Sequence, residues 1–233
     1  MVNRTIIGLT CGLAAASIWG GMYVVSKVVL DVIPPFTLLS LRLVLGTLAL
    51  GAVIALRRKT GFTREQFRSS FLVGFVGYGV SLGFQFIGTK LSTASNGALV
   101  TSATPAFVLL FAPFLLGEKT TLRRVIALVI SSLGVLAVID PRTAEFSSSL
   151  FQGNLSLLAA ALTWALYSVL VRKISKSADL LASSAVMLAG GIPTSVLFSI
   201  FEIQNQGIGE ITAGVIGGVL FIGIVSTAIA MFL

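Results

Sequence analysis

Apolar residues run along this chain in eight long segments that short polar stretches separate. A helix of about 20 apolar residues crosses a bilayer core of about 30 Å. Each segment has about that length, so each is predicted to be a membrane-spanning helix. The segments, numbered here as spans one to eight, cover residues 5–27, 36–56, 69–88, 93–116, 122–139, 153–172, 180–202 and 213–233. The pattern therefore predicts an all-α polytopic membrane protein whose main partner is the lipid bilayer.

Composition supports this class and excludes others. Hydrophobic residues make up 56% of the chain and charged residues 10%, and the mean hydropathy is +1.03; a soluble domain carries about 25% charged residues. The net charge of +8 would favour a nucleic-acid partner in a soluble protein. Here the basic residues lie in short loops, where they determine topology. We therefore expect no nucleic-acid partner.

The residues that most chemistry requires are scarce. Histidine is absent and Cys11 is the only cysteine, so the usual metal ligands and an internal disulfide are missing. The sequence contains no P-loop and no nucleophile elbow. We therefore predict no metal, no cofactor and no enzymatic activity.

Basic residues lie mostly on one side of the predicted membrane. The side of the N-terminus has twelve of them, namely Arg4, Arg57, Arg58, Lys59, Arg64, Arg68, Lys119, Arg123, Arg124, Arg172, Lys173 and Lys176. The opposite side has Lys27, Lys90 and Arg142, and Arg42 falls inside span two. Because cytoplasmic loops carry the excess of Lys and Arg, we expect a multi-pass protein of the inner (plasma) membrane with a cytoplasmic N-terminus.

Spans one and six share a sequence pattern. Leu13–Trp19 matches Leu158–Trp164 at an offset of 145, and Tyr23 and Tyr167 follow the two tryptophans. Five spans separate the copies, so the second enters the membrane in the opposite orientation. The pattern predicts inverted repeats, a plan that places the substrates of many transporters near the midplane. We expect a first five-helix repeat at 1–140, an external loop at 141–152 and a second repeat at 153–233.

Several short motifs together carry a family resemblance. They are Trp19-Gly20, Pro35-Phe36 with Arg42, Thr93–Asn96, Pro105, Leu116–Glu118, Gly134-Val135, Trp164 with Tyr167, and Gly223–Ala228. With them the chain resembles the EamA-like permeases of the drug/metabolite transporter superfamily. The resemblance implies a ten-helix plan of two inverted five-helix repeats. It also implies a permease that moves an amino acid, an amine or a related metabolite outward by alternating access.

The eighth segment reaches Leu233 without a polar flank, and the second repeat has three of five spans. We expect the end of the ten-helix plan to lie outside this chain. One alternative function is therefore a truncated fragment that does not transport. A membrane receptor or scaffold is a second alternative, although it would not explain an inverted repeat. Oligomeric state is left open, and a homodimer is compatible with the sequence.

Candidate site residues are the polar and aromatic side chains within the spans. The predicted lining of a central substrate cavity comprises Trp19, Tyr23, Arg42, Gln85, Asn96, Ser102, Trp164 and Tyr167, and Pro105 is predicted to kink span four as a gating bend. Charge inside a membrane is costly and often functional. Arg42 is thus a candidate counter-ion for an anionic substrate group, or a structural residue that reaches headgroups or helix-one carbonyls. For the aromatic residues the alternative is packing, and for the amides it is hydrogen bonding between helices.

The topology can be tested by labelling single cysteines in a Cys11-free background. Arg64→Cys is expected to be protected from an impermeant thiol reagent added to intact cells, because its loop is cytoplasmic. Glu145→Cys is expected to react, because it lies in the external loop. The opposite labelling pattern would reverse the orientation.

Overall fold

The computed structural model describes residues 4–57, 62–138, 148–174 and 179–232, and these residues form helices and short connections without a strand. Helices occupy all eight predicted spans: Arg4–Leu30, Pro35–Arg57, Arg64–Leu91, Ala94–Leu116, Leu122–Val138, Ser148–Ile174, Leu180–Gln206 and residues 213–232. Within the described part, six are long and apolar enough to cross a membrane, while spans five and eight are shorter. The prediction of an all-α polytopic membrane protein is confirmed.

Two helices begin earlier than their apolar segments predicted. Span three begins at Arg64 because Thr63 forms a capping box: its side chain accepts from the Gln66 amide, and the Gln66 side chain accepts from the Thr63 amide. Span six begins at Ser148, so the last residues of the expected external loop 141–152 are helical. Residues 141–147 lie outside the described residues. Polar ends lengthen both helices beyond the apolar run that hydropathy detects.

Span four is broken near its middle. Helices cover Ala94–Thr101 and Thr104–Leu116, and a turn at residues 102 and 103 joins them. Pro105 lies in the first turn of the second helix, where its missing amide hydrogen costs no helical hydrogen bond. The break therefore precedes Pro105, and the role of this proline in gating stays a prediction.

Two π-helical segments occupy equivalent places in spans three and eight. They cover Phe75–Ser81 and Phe221–Ile229, and their first residues are 146 positions apart, close to the offset of the sequence repeat. Each segment presents a glycine to a neighbouring helix. A Cβ added to Gly77 would meet the ring of Tyr167, and one added to Gly223 would meet Leu45. Because π-helical turns are rare in proteins, their recurrence supports an internal repeat.

Span seven packs against spans two and three at the centre of the bundle. Glycines allow the helix backbones to approach, as in many membrane bundles. A Cβ on Gly74 would overlap the backbone of Met187, and one on Gly190 would overlap the Phe71 carbonyl oxygen. In contrast, span five has mostly exposed side chains over its described residues, so it lies at the periphery.

This close approach predicts the effect of one added methyl group. Gly74→Ala is expected to destabilise the protein by about 1–3 kcal/mol, because spans three and seven must separate to accept the Cβ. Gly51→Ala is the matched control, since nothing lies within 4 Å of its Cβ position. Thermal unfolding in detergent should show a lower midpoint for Gly74→Ala alone. Equal midpoints would contradict the packing.

Candidate functional site

Arg42 is a buried cation in the middle of the helix bundle. Only 5% of its surface is exposed. Its Nε donates to the Thr227 hydroxyl at 2.9 Å, its Nη1 donates to the Met22 sulfur at 3.7 Å, and its guanidinium carbon lies 5.7 Å from the centre of the Phe86 ring. These contacts come from spans eight, one and three. A cation over an aromatic face gains energy from the ring quadrupole, but none of the three partners is charged.

The carboxylates of the described part lie elsewhere. Glu118 pairs with two arginines, Asp179 caps span seven, and Glu202 accepts from the first amides of span two. Asp31 and Glu210 are exposed in loops, and Glu65 is exposed in the first turn of span three. Among the described residues, therefore, no acid neutralises the Arg42 charge. Both ion pairs found in this part of the chain involve Glu118.

An aromatic cluster lies within electrostatic range of Arg42. The rings of Tyr78, Trp164 and Tyr167 contact one another, with centroids 4.7–5.8 Å apart. Edge-to-face contacts of this kind add to the energy of burial. The Tyr167 hydroxyl donates to the Tyr78 hydroxyl at 3.2 Å, and Tyr78 is close enough to Arg42 for electrostatic interaction. Spans three and six thus bring an apolar, polarisable surface to the cation.

Methionine sulfurs contact polar groups at equivalent places in the two predicted repeats. Arg42 Nη1 of span two donates to Met22 of span one, and the Tyr167 hydroxyl of span six lies 3.5 Å from the Met187 sulfur of span seven, which is a second acceptor for the hydrogen that it gives to Tyr78. At the offset of 145, Met22 corresponds to Tyr167 and Arg42 corresponds to Met187. In the first predicted repeat the polar group lies on the second helix and the methionine on the first. In the second predicted repeat the polar group lies on the first helix and the methionine on the second. The first repeat therefore carries the cation, and a neutral methionine takes its place in the second.

Four predicted site residues lie on helices around Arg42. Trp164 and Tyr167 belong to the aromatic cluster. Tyr23 is buried, and its hydroxyl shares a 2.7 Å hydrogen bond with the Thr101 hydroxyl of span four. The Trp19 indole donates to the Ser226 carbonyl at 3.0 Å, although 44% of its surface is exposed. These residues and their partners come from spans one, three, four, six and eight, and Arg42 comes from span two.

The other predicted residues lie apart from it. The Asn96 amide donates to Ser92 at 3.0 Å and to Asn154 at 3.2 Å, which ties spans three, four and six together near one end. Gln85 is half-buried, and its side chain forms no hydrogen bond with another described residue. Ser102 is exposed and donates to the Leu99 carbonyl. Contact of these three with a substrate stays a prediction.

Glu202 is a structural link that the sequence pattern did not indicate. Its Oε2 accepts from the amides of Phe36 and Thr37 at 2.7 and 3.0 Å, so span seven caps the N-terminus of span two. Ser199 adds a hydroxyl hydrogen bond to Thr37 at 3.0 Å. The only signal in the sequence was a single acid at the polar end of an apolar segment. Capping by a distant helix leaves no local motif.

Asp179 caps the equivalent amides of span seven. Its Oδ1 accepts from Leu181 and Ala182 at 2.9 and 3.3 Å, and the offset of 145 relates these residues to Phe36 and Thr37. In the second predicted repeat the capping acid directly precedes the helix that it caps. In the first predicted repeat the capping acid, Glu202, comes from a helix of the second. Glu202 therefore links the two repeats at the end of the bundle that we predict to be external.

Glu118 links the repeats at the opposite end. It pairs with Arg172 of span six at 2.6 Å and with Arg124 of span five at 3.0 Å. The pairs border a cavity of about 530 Å³ whose wall includes Thr104, Pro105, Val108, Leu109, Ala112, Ala127 and Leu128. This cavity lies beside the second half of span four. Pro105 therefore faces a lateral space and not the Arg42 centre.

Comparison with known proteins gives matches over most of the chain. Residues 6–139 match the model of the EamA-like transporter family. An uncharacterized transporter of Bacillus subtilis, YoaV, is 27% identical over 212 residues, which cover 90% of this chain and 72% of that protein. An aromatic amino acid exporter of Ancylobacter novellus, YddG, is 27% identical over 179 residues, which cover 75% of this chain and 60% of that protein.

The fold also has a counterpart among solved structures. One crystal structure superposes with a TM-score of 0.74 and covers 99% of this chain and 78% of that chain. The sequence identity is 22%, so this likeness concerns the fold alone.

The cap on span two predicts a stability effect. Glu202→Ala should lower the free energy of unfolding by about 1 kcal/mol, because it removes the acceptor of two amides at the N-terminus of span two. Glu210→Ala, at an exposed loop position, is the control. Unfolding in mixed micelles measures both. A wild-type unfolding curve for Glu202→Ala would refute the cap.

Proposed function

The chain belongs to the EamA-like transporter family, and on that basis we propose that it is a permease which exports a small organic metabolite by alternating access. The observation that carries the proposal is the meeting of the two repeats around Arg42. Arg42 and Tyr78 come from the first repeat, and Tyr167 and Thr227 come from the second. Substrate sites between inverted repeats, near the bilayer midplane, are usual in secondary transporters.

Both ends of the bundle support a rocking motion of the repeats. Glu202 joins span seven to span two at one end, and Glu118 joins span four to span six at the other. In each case the carboxylate and its partner belong to different repeats. We propose that one link opens while the other holds, so that the centre faces one side of the membrane at a time.

The proposed path passes Trp19, Tyr23, Arg42, Trp164 and Tyr167. We place Gln85, Asn96 and Ser102 along the path away from the centre. The break in span four supplies the proposed gating bend, with Pro105 in the turn that follows it. The protein would be a multi-pass component of the inner (plasma) membrane with a cytoplasmic N-terminus.

Similarity to an aromatic amino acid exporter supports export of an amino acid, an amine or a related compound. The chain spans 72% of YoaV and 60% of YddG, so the activity of the whole protein is part of the proposal. Metabolite flux into reconstituted vesicles, measured with a panel of amino acids and amines, tests it. Saturable flux above that of empty vesicles supports a permease, and its absence over the panel would refute it.

A disulfide between the repeats tests the mechanism more sharply. Thr37 and Ser199 lie on spans two and seven, with their hydroxyls 3.0 Å apart, and a disulfide needs sulfurs about 2.0 Å apart. In a Cys11→Ala background, the double variant Thr37→Cys/Ser199→Cys should lose flux on oxidation and regain it on reduction, because the cross-link holds one end shut.

Each single cysteine variant is the control for the oxidant. Neither can form the cross-link, so both should keep their flux under the same treatment. Gel mobility after proteolysis between the two positions reports whether the disulfide has formed. Undiminished flux in fully cross-linked protein would rule out opening at this end.

A further inference from the structure

We infer that Arg42 binds the carboxylate of the transported solute, and that the solute is an organic acid or amino acid with an aromatic or other apolar group. This inference rests on the proposed function, because it assigns a substrate class to the centre of the proposed path. Four observations support it: the burial of the cation, the lack of a counter-charge among the described residues, the weakness of its present partners and the chemistry of its neighbours.

The buried charge is not neutralised by the described residues. Arg42 is 5% exposed, and the acids of the described part are engaged at helix ends or exposed outside the bundle. An unpaired ion in a low-dielectric interior is strongly unfavourable. A solute carboxylate would supply the missing charge during each transport cycle.

The present partners leave the guanidinium free to bind an anion. Arginine has five N–H donors in a planar fork that fits a carboxylate through two parallel hydrogen bonds. Only Nε has an oxygen acceptor among the described residues, the Thr227 hydroxyl. Nη1 contacts the Met22 sulfur at 3.7 Å, and a thioether is a weak acceptor. A carboxylate would displace this sulfur at little cost.

Thr227 positions the fork. Its hydroxyl accepts from Arg42 and donates to the Ile222 carbonyl at 2.9 Å, five residues earlier in the π-helical segment of span eight. Because the hydroxyl's own hydrogen is used on the backbone, its lone pair points at Nε. With Nε held in this way, Nη1 is directed at the Met22 sulfur.

The neighbours of Arg42 favour an organic anion over an inorganic one. Phe86 lies under the guanidinium, and Tyr78, which contacts Trp164 and Tyr167, lies within electrostatic range of it. Aromatic rings and thioethers make favourable contacts with aromatic and aliphatic groups. Met187, at the repeat equivalent of Arg42, adds no second charge, so the site matches one carboxylate attached to an apolar body.

Binding to the purified protein separates these possibilities. The probes are 3-phenylpropionate, its neutral amide 3-phenylpropanamide, 2-phenylethylamine and chloride alone. Both tryptophans contact the central region, so intrinsic fluorescence reports occupancy. The carboxylate should bind at least about tenfold more tightly than the amide, which is about 1.4 kcal/mol. Equal binding of carboxylate and amide, or a response to chloride alone, would overturn the inference.

Variants test the residue itself. In Arg42→Gln the preference for carboxylate over amide should disappear, whereas Arg68→Gln, exposed near the start of span three, should retain it. Thr227→Val should weaken the preference, and Thr227→Ser, which keeps the hydroxyl, should restore it. Full preference in folded Arg42→Gln would refute the assignment. If Arg42→Gln does not fold, the wild-type comparison of carboxylate and amide still decides.

Failure of this inference can be told apart from failure of the proposed function. Carboxylate-selective binding without flux of any solute would refute the permease and leave the binding site. Saturable flux of solutes that lack a carboxylate, with no preference for the acid in binding, would leave the permease and refute the role of Arg42.

Discussion

Burial of a single positive charge organises the centre of this protein. Arg42 lies where hydrocarbon or packed side chains replace water, and the cost of a charge in such a place is met only by partners from several helices. Thr227, Met22 and Phe86 provide a hydroxyl dipole, a polarisable sulfur and an aromatic face. They come from spans eight, one and three. The charge is therefore tolerated only when both repeats are assembled around it.

The two predicted repeats share their backbone irregularities and differ in their chemistry. The π-helical segments begin at residues 75 and 221, where each brings a glycine against a neighbouring helix. Yet Arg42 has Met187 as its equivalent, and the cap on span two comes from Glu202 while that on span seven comes from Asp179. A symmetric scaffold thus carries an asymmetric set of polar groups. Such asymmetry fits the single binding site that we propose at the centre.

Carboxylates at the ends and a cation at the centre form a consistent electrostatic pattern. Glu202 and Glu118 each connect the two repeats, one at each end of the bundle. Hydrogen bonds of this kind, partly exposed to water, exchange at modest cost, because solvent replaces a lost partner. At the buried centre, water cannot replace a lost partner of Arg42 in this way. Motion between the repeats would therefore be controlled at the ends, and the centre would gain most from an incoming anion.

The sequence alone determined the class, the family and the approximate position of every span, because a helix that crosses a bilayer must satisfy its own backbone and present about 20 apolar residues. It also indicated Arg42, Tyr23, Trp164 and Tyr167, since polar or aromatic groups deep in apolar runs are visible in the pattern. The apolar pattern did not predict that two helices begin as early as Arg64 and Ser148, because capping and polar helical turns extend beyond the apolar residues.

Only the tertiary structure decided which groups meet. Tyr78 lies in a glycine-rich run that looks like packing, and Glu202 looks like one more acid near a loop, yet the first contacts Trp164 and the second caps a helix more than 160 residues away in sequence. The absence of an acid near Arg42 among the described residues is likewise a property of the fold. Hydropathy is a local quantity that a sequence displays directly, whereas charge compensation depends on distances between helices that only their packing sets.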